Sequence, residues 1–150
     1  MNKIIFLDID GVLNGTEFLE QKPTTEDWWL SQLNLKSIVA LNLITRASKA
    51  KIVIISTWRI ITTFDTLCST LKKAGVKGEI IGCTPYMRGH TRNEEIKCWL
   101  KSSQQKIDSY VIIDDITDDF DDLSDRAIKT DPNTGLTEAN INSILEVLNN

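Results

Sequence analysis

The sequence predicts an α/β domain built on a doubly wound, mainly parallel five-stranded sheet. Three observations lead there. Five short runs rich in Ile and Val, at residues 3–7, 51–55, 79–81, 110–113 and 127–129, are continuous rather than alternating, as in strands covered on both faces. Segments with apolar residues at spacings of three and four lie between them, so strand and helix alternate. Such an order with short links implies right-handed crossovers and three layers. The 150 residues, at 41% hydrophobic, suit one domain over residues 1–150.

Each element has its own justification. The first run, Lys3-Ile4-Ile5-Phe6-Leu7, ends at Asp8. An irregular stretch follows from Asn14 to Asn34, carrying Phe18, Trp28 and Trp29, and is expected to form a small flap. Leu35, Ile38, Leu41 and Ile44 mark a helix before the second strand. Phe64, Leu67 and Leu71 mark another, closed by Gly75. After the third strand come Ile96, Trp99 and Leu100 on a helix, then the fourth and fifth strands. Residues 131–135, Asp-Pro-Asn-Thr-Gly, form a turn cluster, and Thr137 is placed to cap a last helix bearing Ile141, Ile144, Leu145 and Leu148.

Composition narrows the function. A net charge of −4 gives no global positive field for nucleic acid or an anionic membrane, so any anionic ligand must be held locally. Cys68, Cys83 and Cys98 are odd in number and lack a Cys-x-x-Cys pair, which argues against a disulfide framework or a structural zinc site and for a reducing, cytoplasmic location. The first apolar run is cut by Asp8, far short of the ~20 residues of a membrane span, so no membrane association is expected.

The chemistry gathers where the strands end. Asp8-Ile9-Asp10-Gly11 follows the first, Ser56-Thr57-Trp58-Arg59 the second and Asp114-Asp115 the fourth. Alternation points Asp8 and Asp10 the same way, and Gly11 permits a close turn. If the first and fourth strands are neighbours, about 4.8 Å apart, four carboxylates share one mouth. Two charges 4 Å apart repel by roughly 4 kcal/mol at an effective dielectric of 20, so protons or a metal must offset them. A site of oxygen ligands favours Mg²⁺, held by Asp8, Asp10, Asp114 and Asp115. Beside it, Asp8 can attack phosphorus while Asp10 protonates the leaving oxygen and later activates water. Ser56 and Thr57 can donate to the transferring group, and Arg92 is the choice for the neutralising cation opposite the metal.

The stretch Phe6-Leu7-Asp8-Ile9-Asp10-Gly11-Val12-Leu13 resembles the first motif of the haloacid dehalogenase (HAD) superfamily of phosphohydrolases. The resemblance implies a Rossmann-like, HAD-like fold, with Asp8 as nucleophile and metal ligand. It also implies that Asp10 is the general acid/base and meets the metal through its backbone carbonyl. Ser56 stands where the second motif falls, Arg92 where the third has Lys or Arg, and Asp114-Asp115 match the acidic fourth. Residues 56–59, 88–96 and 130–137 are similar to small HAD domains of RNA-repair proteins and to the phosphatase half of phage polynucleotide kinase-phosphatase. That similarity makes Arg59 a ligand of the substrate phosphate, and Gly11 and Thr57 substrate-binding neighbours. The neutralising cation stays open among Arg88, Arg92 and Lys97, as does a metal role for Asp118 or Asp119.

Several of these residues also admit a plainer role. Ser56 could be only a helix N-cap, and Arg92 could pair with Glu94 or Glu95 on its own helix. The aspartates of residues 114–125 do not form an EF-hand loop, which needs Gly sixth and Glu twelfth where this chain has Asp119 and Asp125. His90 reads as a surface residue. Phe18, Trp28 and Trp29 could stack on a base, worth ~1–3 kcal/mol each, or pack the flap onto the body. The gaps around the motifs leave room for a flap but no large cap, and an uncapped mouth admits bulky substrates.

The expectation is therefore a Mg²⁺-dependent phosphomonoesterase acting through an aspartyl-phosphate on nucleotide or polynucleotide 3′-end phosphates. A small-metabolite phosphatase, a phosphotransferase and a non-catalytic receiver-like module are the alternatives. A receiver carries its acceptor after the third strand, where this chain has Gly82-Cys83-Thr84.

Overall fold

A computed structural model describes residues 1–22 and 26–150 of the chain. Five strands, β1 (Lys3–Leu7), β2 (Lys51–Ile54), β3 (Ile80–Cys83), β4 (Ser109–Asp114) and β5 (Ala127–Lys129), form one wholly parallel sheet in the order β3-β2-β1-β4-β5. The five apolar runs are these strands, with ends displaced by one or two residues. β1 lies at the centre, its Leu7 level with Ile54 of β2 and Ile113 of β4. The order reverses between β1 and β4, and in open α/β sheets the crevice beyond such a reversal is where ligands bind.

Successive side chains along each strand serve opposite layers. Ile5, Leu7, Ile52, Ile54, Val111 and Ile113 pack on one face with α3 (Leu35–Ser48), α5 (Phe64–Ala74) and α7 (Ile141–Asn149), through Ile38, Leu41, Leu67, Leu71, Ile144 and Leu148. Ile4, Phe6, Val53, Ile55 and Ile112 pack on the other with Ile96 of α6 (Arg92–Ser102) and with Phe120 and Leu123 of the 3₁₀ segment Asp118–Arg126. Each of these side chains, when fully buried, contributes about 1.5–3 kcal/mol.

The boundaries have local causes. Gly75 (φ 109°) closes α5, and the Thr91 hydroxyl accepts from the Glu94 N–H to open α6. Thr137 caps a 3₁₀ turn, Glu138–Asn140, that feeds α7, rather than capping α7 itself. The expected flap contains α1 (Thr16–Gln21) and α2 (Trp28–Ser31); its residues 23–25 lie outside the described residues. A short helix, α4 (Trp58–Ile61), follows directly on Ser56 and Thr57. Among the described residues no helix is long and apolar enough to cross a membrane.

Candidate active site

β1 and β4 are neighbours, and the acidic residues at their ends meet. One carboxylate oxygen from each of Asp8, Asp114 and Asp115 lies within 4.8 Å of the others. The Asp8 N–H donates to Ile113 O at 3.0 Å, extending the β1–β4 ladder to Asp8. Asp8 Oδ1 accepts from the Ile9 N–H (2.9 Å) and Asp114 Oδ1 from the Ile116 N–H (3.0 Å). The second oxygens face Arg92, whose Nη1 is 3.1 Å from Asp8 Oδ2 and 2.6 Å from Asp114 Oδ2. Of the three candidate cations, Arg92 is thus the one brought to the carboxylates. Lys97 pairs with Asp122 at 2.7 Å, and Arg88 is exposed on the loop before α6.

Asp8 and Asp114 are buried, and one guanidinium does not balance them. Burial, reinforced by the charge on Asp8, pushes the Asp114 carboxyl up to about 7 against the pull of Arg92. Burial likewise raises Asp8 despite Arg92. Burial works against the Arg92 charge, but Asp8 and Asp114 outweigh it and raise Arg92. Three converging carboxylates, two with a heightened appetite for positive charge, are an all-oxygen donor set suited to a hard divalent ion such as Mg²⁺. Asp8, Asp114 and Asp115 would hold it.

Asp10 projects beside this cluster rather than into it. Asn14 Nδ2 donates to its Oδ1 (3.2 Å) and Trp58 Nε1 to its Oδ2 (3.1 Å), which fixes the carboxylate from both sides. Gly11 has φ 79°, and a Cβ there would collide with the Asp115 carboxyl, so glycine lets Asp115 close on the turn. The turn is clasped from behind. Thr130 Oγ1 donates to Gly11 O (2.7 Å), Leu136 N–H to Val12 O (2.7 Å) and Thr16 N–H to Pro132 O (3.0 Å). Asp8, Asp10, Thr57, Arg92, Asp115 and Asp119 line a cavity of about 480 Å³, together with His90, Thr91, Ile116 and Phe120.

Three expectations change. Arg59 does not reach the mouth: its guanidinium is buried and donates to Thr84 O, Ile55 O, Ser56 O and Glu95 Oε1 at 2.7–3.0 Å, so the structure turns this proposed phosphate ligand inward as a brace. The cause is Glu95, which draws the guanidinium inward. Ser56 is 1% exposed and its Oγ accepts from the Trp58 N–H (3.2 Å), leaving Thr57 to line the cavity. The Asp10 carboxylate is outside the converging trio, so three of the four expected carboxylates meet rather than all four. Asp119 borders the cavity and Asp118 is exposed; neither belongs to the trio.

Sequence reasoning missed Asn14, Trp58, Thr130 and Glu95. Asn14 left a faint signal, an amide three residues beyond a glycine turn and able to return to it, as it does in accepting from the Gly11 N–H (3.0 Å). The other three act on distant residues and left none.

A parallel sheet with motif residues at the ends of β1, β2 and β4 and a basic residue opening α6 defines a HAD-type domain, a class of phosphohydrolases. The family described as the HAD domain in Swiss Army Knife RNA repair proteins matches residues 4–141, and the chain belongs to it. Searches of curated proteins and of solved structures found no match.

Proposed function

We propose that the protein is a Mg²⁺-dependent phosphomonoesterase that works through an aspartyl-phosphate on Asp8 and acts on nucleotide or polynucleotide 3′-end phosphates. The convergence of Asp8, Asp114 and Asp115 within 4.8 Å, with Arg92 bridging Asp8 and Asp114, carries the reading. Mg²⁺ held there would neutralise phosphoryl oxygens and the carboxylates that receive them. Asp8 attacks phosphorus, and the bond from phosphorus to the substrate oxygen breaks as Asp10 delivers its proton to that oxygen. A water molecule then gives a proton to Asp10 and attacks the phosphorus, releasing phosphate and restoring Asp8. Asn14 and Trp58 hold Asp10 in line for both transfers. Arg92 keeps the nucleophile oriented and faces the developing charge, while Thr57 offers donors at the wall.

The RNA-repair context of the family and the smallness of the flap support the substrate class. The test is hydrolysis of a generic aryl phosphate with Mg²⁺, followed by a comparison of 3′-phosphorylated oligonucleotides with sugar phosphates. Asp8→Asn should lose turnover while remaining folded by circular dichroism. Turnover that survives this substitution overturns the nucleophile assignment. Equal or better kcat/KM on sugar phosphates overturns the substrate class.

A further inference from the structure

We infer that Trp28 is a specificity residue, an exposed ring on which a nucleobase of the substrate stacks while its phosphate occupies the site. The inference rests on the phosphatase reading above and adds to it a contact that selects for aromatic bases. Three indoles run outward from the reacting groups. Trp58, 3% exposed, holds Asp10 through its Nε1 (3.1 Å). Trp29 packs edge-on against Trp58 (4.8 Å between ring centres, 70°), and Trp28 edge-on against Trp29 (4.9 Å, 86°). The outermost ring is thus within about 10 Å of the ring that touches Asp10.

The inner two rings are accounted for by packing, since Trp58 belongs to the core and Trp29 lies against it. Trp28 is not: it keeps 58% of its surface in solvent. Single exposed apolar side chains are ordinary; the position of this one is not. It stands on α2, which the Asn14 Nδ2 bond to Gln32 O (3.0 Å) ties to the residue orienting Asp10. The flap also supplies a cation. Lys22 Nζ, from the residue that caps the end of α1, donates to Ser31 Oγ (3.3 Å), and that hydroxyl donates to Trp28 O (2.6 Å), so an ammonium is bonded to the short helix that carries the open indole. A π-face beside a positive charge is the pairing by which proteins hold single-stranded nucleic acid, bases on rings and phosphates on cations.

The test uses the full chain and Trp28→Ala and Trp28→Phe, with two phosphates as probes: a 3′-phosphorylated oligoadenylate and glycerol phosphate, which has no ring. Trp28→Ala should raise KM for the oligonucleotide about 5- to 100-fold, leave its kcat in place and leave glycerol phosphate hydrolysis unchanged; Trp28→Phe should recover most of the loss. Equal effects on both phosphates, or none on the oligonucleotide, overturn the inference while leaving the phosphatase reading intact. So does a change in oligomeric state with an unchanged oligonucleotide KM, which would make the ring a contact between chains. Should the wild type hydrolyse neither probe, the phosphatase reading falls and oligonucleotide quenching of tryptophan fluorescence decides. Quenching lost in Trp28→Ala sustains the stacking assignment, and quenching unchanged overturns it.

Discussion

Replacing Arg59 separates two roles, substrate ligand and buried brace. Its side chain is 4% exposed and that of its partner Glu95 6% exposed. The guanidinium satisfies three backbone carbonyls, of Ile55, Ser56 and Thr84, besides Glu95 Oε1, while Glu95 Oε2 accepts from the Met87 N–H (2.8 Å). Arg59→Ala would leave a buried carboxylate without its counter-charge, and breaking such a pair costs about 3–5 kcal/mol. In a chain of this size each kcal/mol lowers Tm by about 2–4 °C, so a fall of roughly 6–20 °C is expected in differential scanning calorimetry. Glu95→Gln should cost less, because an amide oxygen can still accept from Arg59. Arg59→Met combined with Glu95→Leu should regain much of the loss, since no unpaired charge remains. A stable Arg59→Ala protein whose KM alone rises would refute this reasoning and restore the arginine to the substrate.

Two further predictions concern the acidic cluster. Because Asp114 is raised to about 7, the folded metal-free protein binds more protons than the unfolded chain between about pH 4 and 7; its stability therefore falls as pH rises through that window. Denaturant titrations without metal should show the decline, Mg²⁺ should reduce it, and Asp114→Asn should flatten it; a rising curve would contradict the assignment. Gly11→Ala forces a side chain into the Asp115 carboxyl at φ 79°, so the Mg²⁺-induced rise in Tm should shrink along with overall stability. An undiminished response to Mg²⁺ would show that Asp115 is dispensable for metal.

The sheet was legible because its signal is local. Uninterrupted apolar runs of three to five residues are the mark of strands in a covered sheet, and Lys3–Leu7, buried throughout, and Ala127–Lys129 fall where the pattern put them. The carboxylates at the ends of β1 and β4 were legible for the same reason, since a strand's end fixes where the next side chain emerges. The direction of Arg59 was not, because Glu95 lies 36 residues away and only tertiary packing brings it beneath the mouth. Nor was the hold of Trp58 on Asp10, which spans 48 residues. The 3₁₀ segment Asp118–Arg126 depends on Asp121 at φ 42°, a conformation that a run of aspartates does not announce.

The clasp on the Gly11 turn also bears on how the molecule is made. Residues 8–16 leave the ribosome more than a hundred residues before their partners Thr130, Pro132 and Leu136. The central strand likewise waits for β4 before both its edges are paired. Nascent chains halted before residue 130 would therefore carry Asp8, Asp114 and Asp115 and still lack the clasp on the Gly11 turn, so a finished mouth should arrive abruptly, once residues 130–136 have emerged.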